Sequence, residues 1–249
     1  GGFTIYGAVR GVVKFNGKLY ALANGAGSVT GGTFVKMPSD TVWTKLSNGL
    51  SGTSLSGTSI IALDDRILIT TGGGVYKLMS GDTTWSISNT GLPALCVGQS
   101  LAYHDGIVRS YMSGGLTGSA GTYSSTNKGV TWVRDPGFWN LIIGASNYAF
   151  MNGKIYLCAT DGVYMRTASD TGWTRSINGL AANAQNVTHI LAAGGKIYLG
   201  TSSGVYFSGD EGATWTADND GLGATPFAIQ GLQLKGDDLY AYMTITGVF

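Results

Sequence analysis

The stretch GTSSGVYFSGDEGATWTADNDGL, residues 200–222, gathers Ser208, Asp210 and Glu211 within four positions, a hydroxyl beside two carboxylates. Such a set could serve acid–base chemistry, and glycoside hydrolysis uses two carboxyl groups that flank one bond. The supply of further groups is thin. Glu211 is the only glutamate beside 13 aspartates, and the aspartates fall in turn-like settings such as Asp64–Asp65, Asp105 and Asp237–Asp238. Asp161 is the one carboxylate expected at the other end of its strands. No Gly-x-Ser-x-Gly elbow with a histidine partner occurs. Tyr103-His104-Asp105-Gly106 reads as a solvated turn, and Gly72–Gly74 as another, since no helix follows to seat a phosphate. His104, His189, Cys96 and Cys158 show no ligand spacing, so neither metal nor cofactor is expected. The two cysteines read as buried thiols, with a single disulfide as the alternative.

A repeat positions these groups. Five of the six tryptophans fall at 43, 85, 132, 173 and 215, with steps of 42, 47, 41 and 42. Gly-Leu or Gly-Phe pairs at 49–50, 91–92, 137–138, 179–180 and 221–222 keep the same beat. So do Phe34, Tyr76, Tyr123, Tyr164, Tyr206 and Phe249. Each unit reads as four short strands: in the fifth, VTHILAA, KIYLGTS, GVYFSG and ATWTAD, joined by turn residues. Four strands in about 40–45 residues is the pattern of a β-propeller blade. The fold predicted is all-β: one domain, 1–249, forming a six-bladed propeller of four-stranded antiparallel blades. The blades run approximately 8–50, 51–92, 93–138, 139–180, 181–222 and 223–249 plus 1–7. Phe3 stands 40 residues before Trp43, and FTIYG therefore reads as the strand that completes the last blade and closes the ring.

Composition narrows the function. Charged residues are 12%, Gly accounts for 41 positions and the net charge is +1. No basic field exists to draw nucleic acid, and no apolar run approaches the roughly 20 residues of a membrane span. The Gly, Ser, Thr and Asn content suggests an extracellular, cell-surface or virion-surface setting.

Ser208-x-Asp210-x-Gly212-x-Thr214-Trp215 resembles the Asp-box of sialidase-like (BNR-repeat) propellers, as does Ser125-x-Asn127-x-Gly129-x-Thr131-Trp132 in weaker form. The resemblance implies a structural hairpin between third and fourth strands, with the aspartate holding turn amides and the tryptophan packing between blades. It does not extend to sialidase chemistry, because the Arg-Ile-Pro signature is missing and Glu211 sits within the box. The whole chain also resembles secreted propeller modules of Bacteroidetes surface proteins, best in its fourth and fifth repeats. Asp40-Thr41-Val42 and Asp82-Thr83-Thr84 resemble that phylum's O-glycosylation sites, at Thr41 and Thr83.

Binding, if the blades support it, belongs at the end where first strands begin. Aligning the repeats on Lys18, Arg66, Gly106, Lys154, Lys196 and Asp238 places a polar ring there. Its expected ligand-binding residues are Arg10, Thr58, Gln99, Asn147, Thr188, His189 and Gln230, with Tyr111 and Trp139 supplying flat apolar surface. Catalytic residues are not assigned. The reading is a non-enzymatic extracellular binding or scaffold module, an adhesin or assembly subunit recognising glycan or protein. The alternatives are a sialidase-like or polysaccharide-cleaving hydrolase and a phage or fibre host-binding component.

Overall fold

The computed structural model describes residues 8–25, 31–115, 120–136, 144, 146–222, 227–243 and 247–248. Among these, regular structure is β apart from two single 3-10 turns, Gly52–Leu55 and Ala182–Ala184. The first sheet holds β1 (Ala8–Phe15), β2 (Lys18–Asn24), β3 (Gly32–Lys36) and β4 (Thr44–Lys45). The second holds β5 (Gly57–Ala62), β6 (Arg66–Thr71), β7 (Gly74–Met79) and β8 (Ser86–Ile87). The third holds β9 (Cys96–His104), β10 (Ile107–Gly114), β11 (Gly121–Ser125) and β12 (Val133–Arg134). The fourth holds β13 (Asn147–Met151), β14 (Lys154–Ala159), β15 (Gly162–Thr167) and β16 (Thr174–Ser176). The fifth holds β17 (Val187–Ala193), β18 (Lys196–Thr201), β19 (Gly204–Ser208) and β20 (Thr216–Ala217). The sixth has three described strands, β21 (Ile229–Lys235), β22 (Asp238–Met243) and β23 (Gly247–Val248). Every sheet is an antiparallel meander with its strands in chain order. Phe3–Gly7, expected as the fourth strand of the sixth sheet, lie outside the described residues.

Local chemistry accounts for the meanders. Asn16-Gly17, Asp105-Gly106 and Asn152-Gly153 take positive φ at both positions, the two-residue hairpin turn that follows the twist of the strands. Within KIYLGT, Ile197 and Leu199 are fully buried while Lys196 is exposed, the alternation of a strand with one face in a core. The third sheet corrects the repeat alignment by one residue. His104 pairs with Ile107 around the Asp105–Gly106 turn, so Ile107 and not Gly106 matches Arg66 and Lys154.

The chain divides into two compact units, residues 1–135 with the first three sheets and 136–249 with the last three. Within each unit the first strands of successive sheets lie side by side: β1, β5 and β9 in one, β13, β17 and β21 in the other. The cores lie between neighbouring sheets. Leu22, Ile67, Ile69, Leu78 and Trp85 fill the first such space, and Tyr156, Ile197, Leu199, Tyr206 and Trp215 fill its counterpart between the fourth and fifth sheets.

One device recurs at these boundaries and explains the sequence period. The backbone N–H groups of Trp85, Trp132 and Trp215 donate to the carbonyls of Asn48, Thr90 and Asn178 on the preceding sheet, at 2.8, 2.9 and 2.9 Å. Their indole N–H groups donate to Leu46 O, Ser88 O and Ser176 Oγ at 2.9, 2.8 and 2.9 Å. Gly49, Gly91 and Gly179 adopt φ of +87, +90 and +90°, and a Cβ on any of them would overlap the carbonyl oxygen of the corresponding tryptophan. The Gly of one repeat and the Trp of the next are thus two halves of one joint. Trp43 and Trp173 are only half-buried. Each belongs to the first sheet of its unit, where no sheet precedes it within that unit. Lys36 lies over the ring of Trp43 and Arg166 over that of Trp173, at 5.4 and 5.8 Å from the ring centres. Cys96 and Cys158 are free thiols, both buried.

Candidate binding rim

In five of the six sheets the first strand carries one residue more than its partner. The unpaired residues are Arg10, Thr58, Gln99, Thr188 and Gln230. In the fourth sheet β13 begins at Asn147, and Ser146 takes the corresponding place, its N–H donating to Cys158 O at 3.2 Å. Such bulges disrupt the ladder for one residue, bend the strand and re-aim a side chain. The ring expected from the repeat is therefore a row of bulge residues, three in the first unit and two, with Ser146, in the second.

The side chains divide by chemistry. The hydroxyl of Thr58 donates to Gly98 O, and that of Thr188 to Ile229 O, both at 2.6 Å and both onto the first strand of the next sheet. Ser146 Oγ reaches Thr188 O at 3.2 Å in the same way. These short side chains tie neighbouring sheets. The longer ones behave differently. Arg10 and Gln230 are exposed. Among the described residues Arg10 makes no ion pair. Gln99 is half-buried, and its amide donates to Ser113 Oγ on β10 at 2.8 Å. One position further on, Asn147 Nδ2 lies 3.5 Å from His189 Nε2 on the adjoining sheet. Burial holds the His189 imidazole below its ordinary pKa, opposed by a hydrogen bond from the imidazole to the Thr188 backbone. Tyr111 is 2% exposed, so its ring is buried and offers no flat surface at the rim. Trp139 lies outside the described residues. Thr41 and Thr83 are exposed turn residues.

Most carboxylates near the candidate chemistry are engaged elsewhere. Asp210 accepts from Ser208 Oγ at 2.7 Å, Thr214 N at 2.9 Å and Thr214 Oγ1 at 2.6 Å. Those bonds, with Thr214 the largest contributor, bring its carboxyl down to about 2. Asn127 repeats the arrangement with Ser125 and Thr131 at 2.9, 2.9 and 2.8 Å. Glu211 reaches the preceding sheet, where Lys154 Nζ is 2.9 Å and Asn152 Nδ2 2.7 Å from its two oxygens. These contacts hold its carboxyl below the usual range, the Lys154 hydrogen bond first. Lys128, at the matching turn of the third sheet, pairs with Asp64 at 2.7 Å. All of this lies at the end of the sheets opposite the bulges. At the bulge end, Asp161 accepts from Tyr164 OH at 2.8 Å, and Arg175 Nε is 3.6 Å from the same carboxylate oxygen. Burial, followed by that contact with Asp161, pushes Tyr164 up to about 12. Repeat spacing pointed to the bulge row but could not show the pairs Thr58–Gly98 and Lys154–Glu211, which span neighbouring sheets.

No family model matches the chain, and no curated protein matches it. Solved structures do match in fold. An ancestral GH74 enzyme superposes with a TM-score of 0.73 at 15% identity over 97% of this chain and 36% of that one. The extracellular domain of BT3049 from B. thetaiotaomicron gives 0.68 at 14% identity, over 96% of this chain and 33% of that one. YCF48 bound to D1 peptide gives 0.64 at 13% identity, over 92% and 74%. The chain thus spans about a third of the first two. These neighbours are β-propeller proteins, and the likeness is one of fold. Among the described residues no helix is long and apolar enough to cross a membrane.

Proposed function

We propose that this chain is an extracellular binding module, without catalytic activity, that recognises glycan or protein through the bulge end of its sheets. In this reading the six sheets are the blades of a single six-bladed propeller, its ring closed by the N-terminal strand. The observation that carries the reading is the recurrent bulge, which sets a polar residue at the same place in sheet after sheet. At that place Gln230 is exposed and offers a donor and an acceptor without charge, a pairing suited to sugar hydroxyls or peptide groups. Arg10 adds one cation and His189 one imidazole, which burial favours in its neutral form. The carboxylates support the same reading, since Asp210 and Glu211 serve a turn and an inter-sheet contact, and Asp161 is held by Tyr164 and Arg175. Extracellular domains among the fold neighbours accord with the proposed location.

A second reading, polysaccharide hydrolysis, draws on the GH74 enzymes among those neighbours. A glycan array and a panel of glycosidase substrates, run on one protein preparation, separate the two. Binding without turnover, weakened by Arg10→Ala or Gln230→Ala and unaffected by Asp161→Asn, is the expected result. Turnover abolished by Asp161→Asn would establish the hydrolase instead.

A further inference from the structure

Of the two aromatics expected at the rim, Tyr111 is buried and Trp139 lies outside the described residues. The sixth sheet supplies another, Tyr242 on β22, which is 41% exposed. Tyr242 pairs with Gly231, the residue that follows the bulge at Gln230. Its neighbours Ala241 and Met243 are buried with Ile229, Leu232 and Val205 in the core against the fifth sheet. Alternation along β22 therefore turns Tyr242 to the opposite face. On β21 the extra residue of the bulge has a matching effect. Ile229 and Leu232 both belong to the core, so Gln230 and Gly231 between them share the face that carries Tyr242.

Gly231 is the seat of this ring. A Cβ there would stand 2.2 Å from both Cζ and the hydroxyl of Tyr242, so the phenol end rests directly on the backbone of β21. The same place in the first and second sheets holds Leu22 and Thr70, opposite Gly11 and Ser59. Those side chains pack forward, onto Gly57 and Gly98 in the first strand of the next sheet. Tyr242 turns back over its own first strand, which sets a partly exposed ring beside the exposed Gln230. We propose that Tyr242 and Gln230 form a subsite for a neutral glycan. A pyranose lays its C–H face on the Tyr242 ring, and the Gln230 carboxamide donates to one sugar hydroxyl and accepts from another. Neither side chain carries a charge at neutral pH, which suits an uncharged sugar. The inference rests on the binding reading above and narrows it to carbohydrate.

Calorimetry of the full chain against neutral oligosaccharides of glucose, xylose, mannose and galactose tests it. Affinity for the saccharide that binds should fall about tenfold in Tyr242→Ala and stay within about threefold in Tyr242→Phe, which keeps the ring. Gly231→Ala should lose as much as Tyr242→Ala. Gly231 lies outside the left-handed region, so alanine suits its backbone and only the ring must move. Tyr103→Ala removes a similarly exposed tyrosine at the hairpin-turn end of the third sheet and should change nothing. Equal affinities in the unmodified chain, Tyr242→Ala and Gly231→Ala would overturn the subsite and leave the binding reading standing. A loss in Tyr242→Phe as large as in Tyr242→Ala would also overturn it, since the ring would not be the contact. So would an unmodified chain that binds none of the saccharides, and a protein bound by that chain would preserve the binding reading. Turnover of a saccharide whose affinity still depends on Tyr242 would sink the reading without catalysis and leave the subsite in place.

Discussion

Gly91 and Trp132 meet backbone to backbone, the glycine on one sheet and the carbonyl of the tryptophan on the next, with no room for a Cβ between them. Gly81 has nearly the same φ, +88°, and open space around it. The pair separates two costs that usually come together. Gly81→Ala should destabilise by about 1–2 kcal/mol, the conformational penalty alone. Gly91→Ala must also displace the Trp132 carbonyl and with it the neighbouring hydrogen bond from Trp132 N–H to Thr90 O, so a further loss of about 1–3 kcal/mol is expected. Equal denaturation midpoints for the two variants would show that the joint yields without cost.

Trp85 and Trp215 are almost completely buried, and Trp43 is half-exposed at the flank of its unit. Trp85→Ala and Trp215→Ala should each cost about 3–5 kcal/mol, and Trp43→Ala clearly less. Ser176→Ala removes the acceptor of the Trp215 indole and should cost about 1–3 kcal/mol, the penalty of a buried donor left without a partner. Urea denaturation of the four variants orders them.

Asp210 and Asn127 hold equivalent turns, each accepting from the serine hydroxyl two residues before it and the threonine N–H four residues after, one charged and one neutral. The Asp210 carboxyl is lowered to about 2 from its ordinary 3.8, so its contribution is complete above the unfolded value. It is lost as pH falls through about 3.8 towards 2. Asp210→Asn should therefore fold, as Asn127 does in its own sheet, and should flatten the melting-temperature profile in that acid window. Asp210→Ala should lower the melting temperature at every pH. An acid profile unchanged in the Asn variant would remove the carboxylate from the account.

His189 works in the opposite direction from a paired histidine. Burial lowers its pKa in the folded protein, so as pH falls through about 6.5 the unfolded chain takes up the proton first. Stability is full above that range and declines below it, levelling once the folded imidazole is protonated too. An imidazole titration by NMR should give a midpoint below 6.5, and His189→Gln should remove the slope in melting temperature between pH 7.5 and 5. A midpoint above 6.5 would mean that burial does not set the charge state of this imidazole.

Much of the architecture was legible in the sequence because its markers are backbone requirements. A glycine with positive φ against a neighbouring carbonyl cannot be exchanged, so it recurs with the repeat and reveals it. The candidate rim was legible only in part. Repeat phase picked out Arg10, Thr58, Gln99, Thr188 and Gln230, but that these are bulge residues depends on strand register, which a single sequence does not encode. The third repeat shows the difficulty: its hairpin turn is Asp105–Gly106, and an alignment on Gly106 is displaced by one position. Tyr111 escaped for a related reason, since in RSYMSGG nothing distinguishes an inward tyrosine from an outward one. The Glu211–Lys154 contact joins turns on two sheets, and neither turn predicts the other.

A bulge residue is left out of the ladder, so its identity is not tied to the register of the residues on either side. Arginine, threonine, glutamine and again threonine and glutamine occupy that place here without any change in how the strands continue beyond it. The exposed pair Arg10 and Gln230 can be varied together, in a library or in the course of evolution, while the sheets fold as before, whereas Thr58 and Thr188 also tie neighbouring sheets. The scaffold thereby keeps the chemistry of its exposed bulge residues separate from what makes it stable, and new chemistry there requires no new fold.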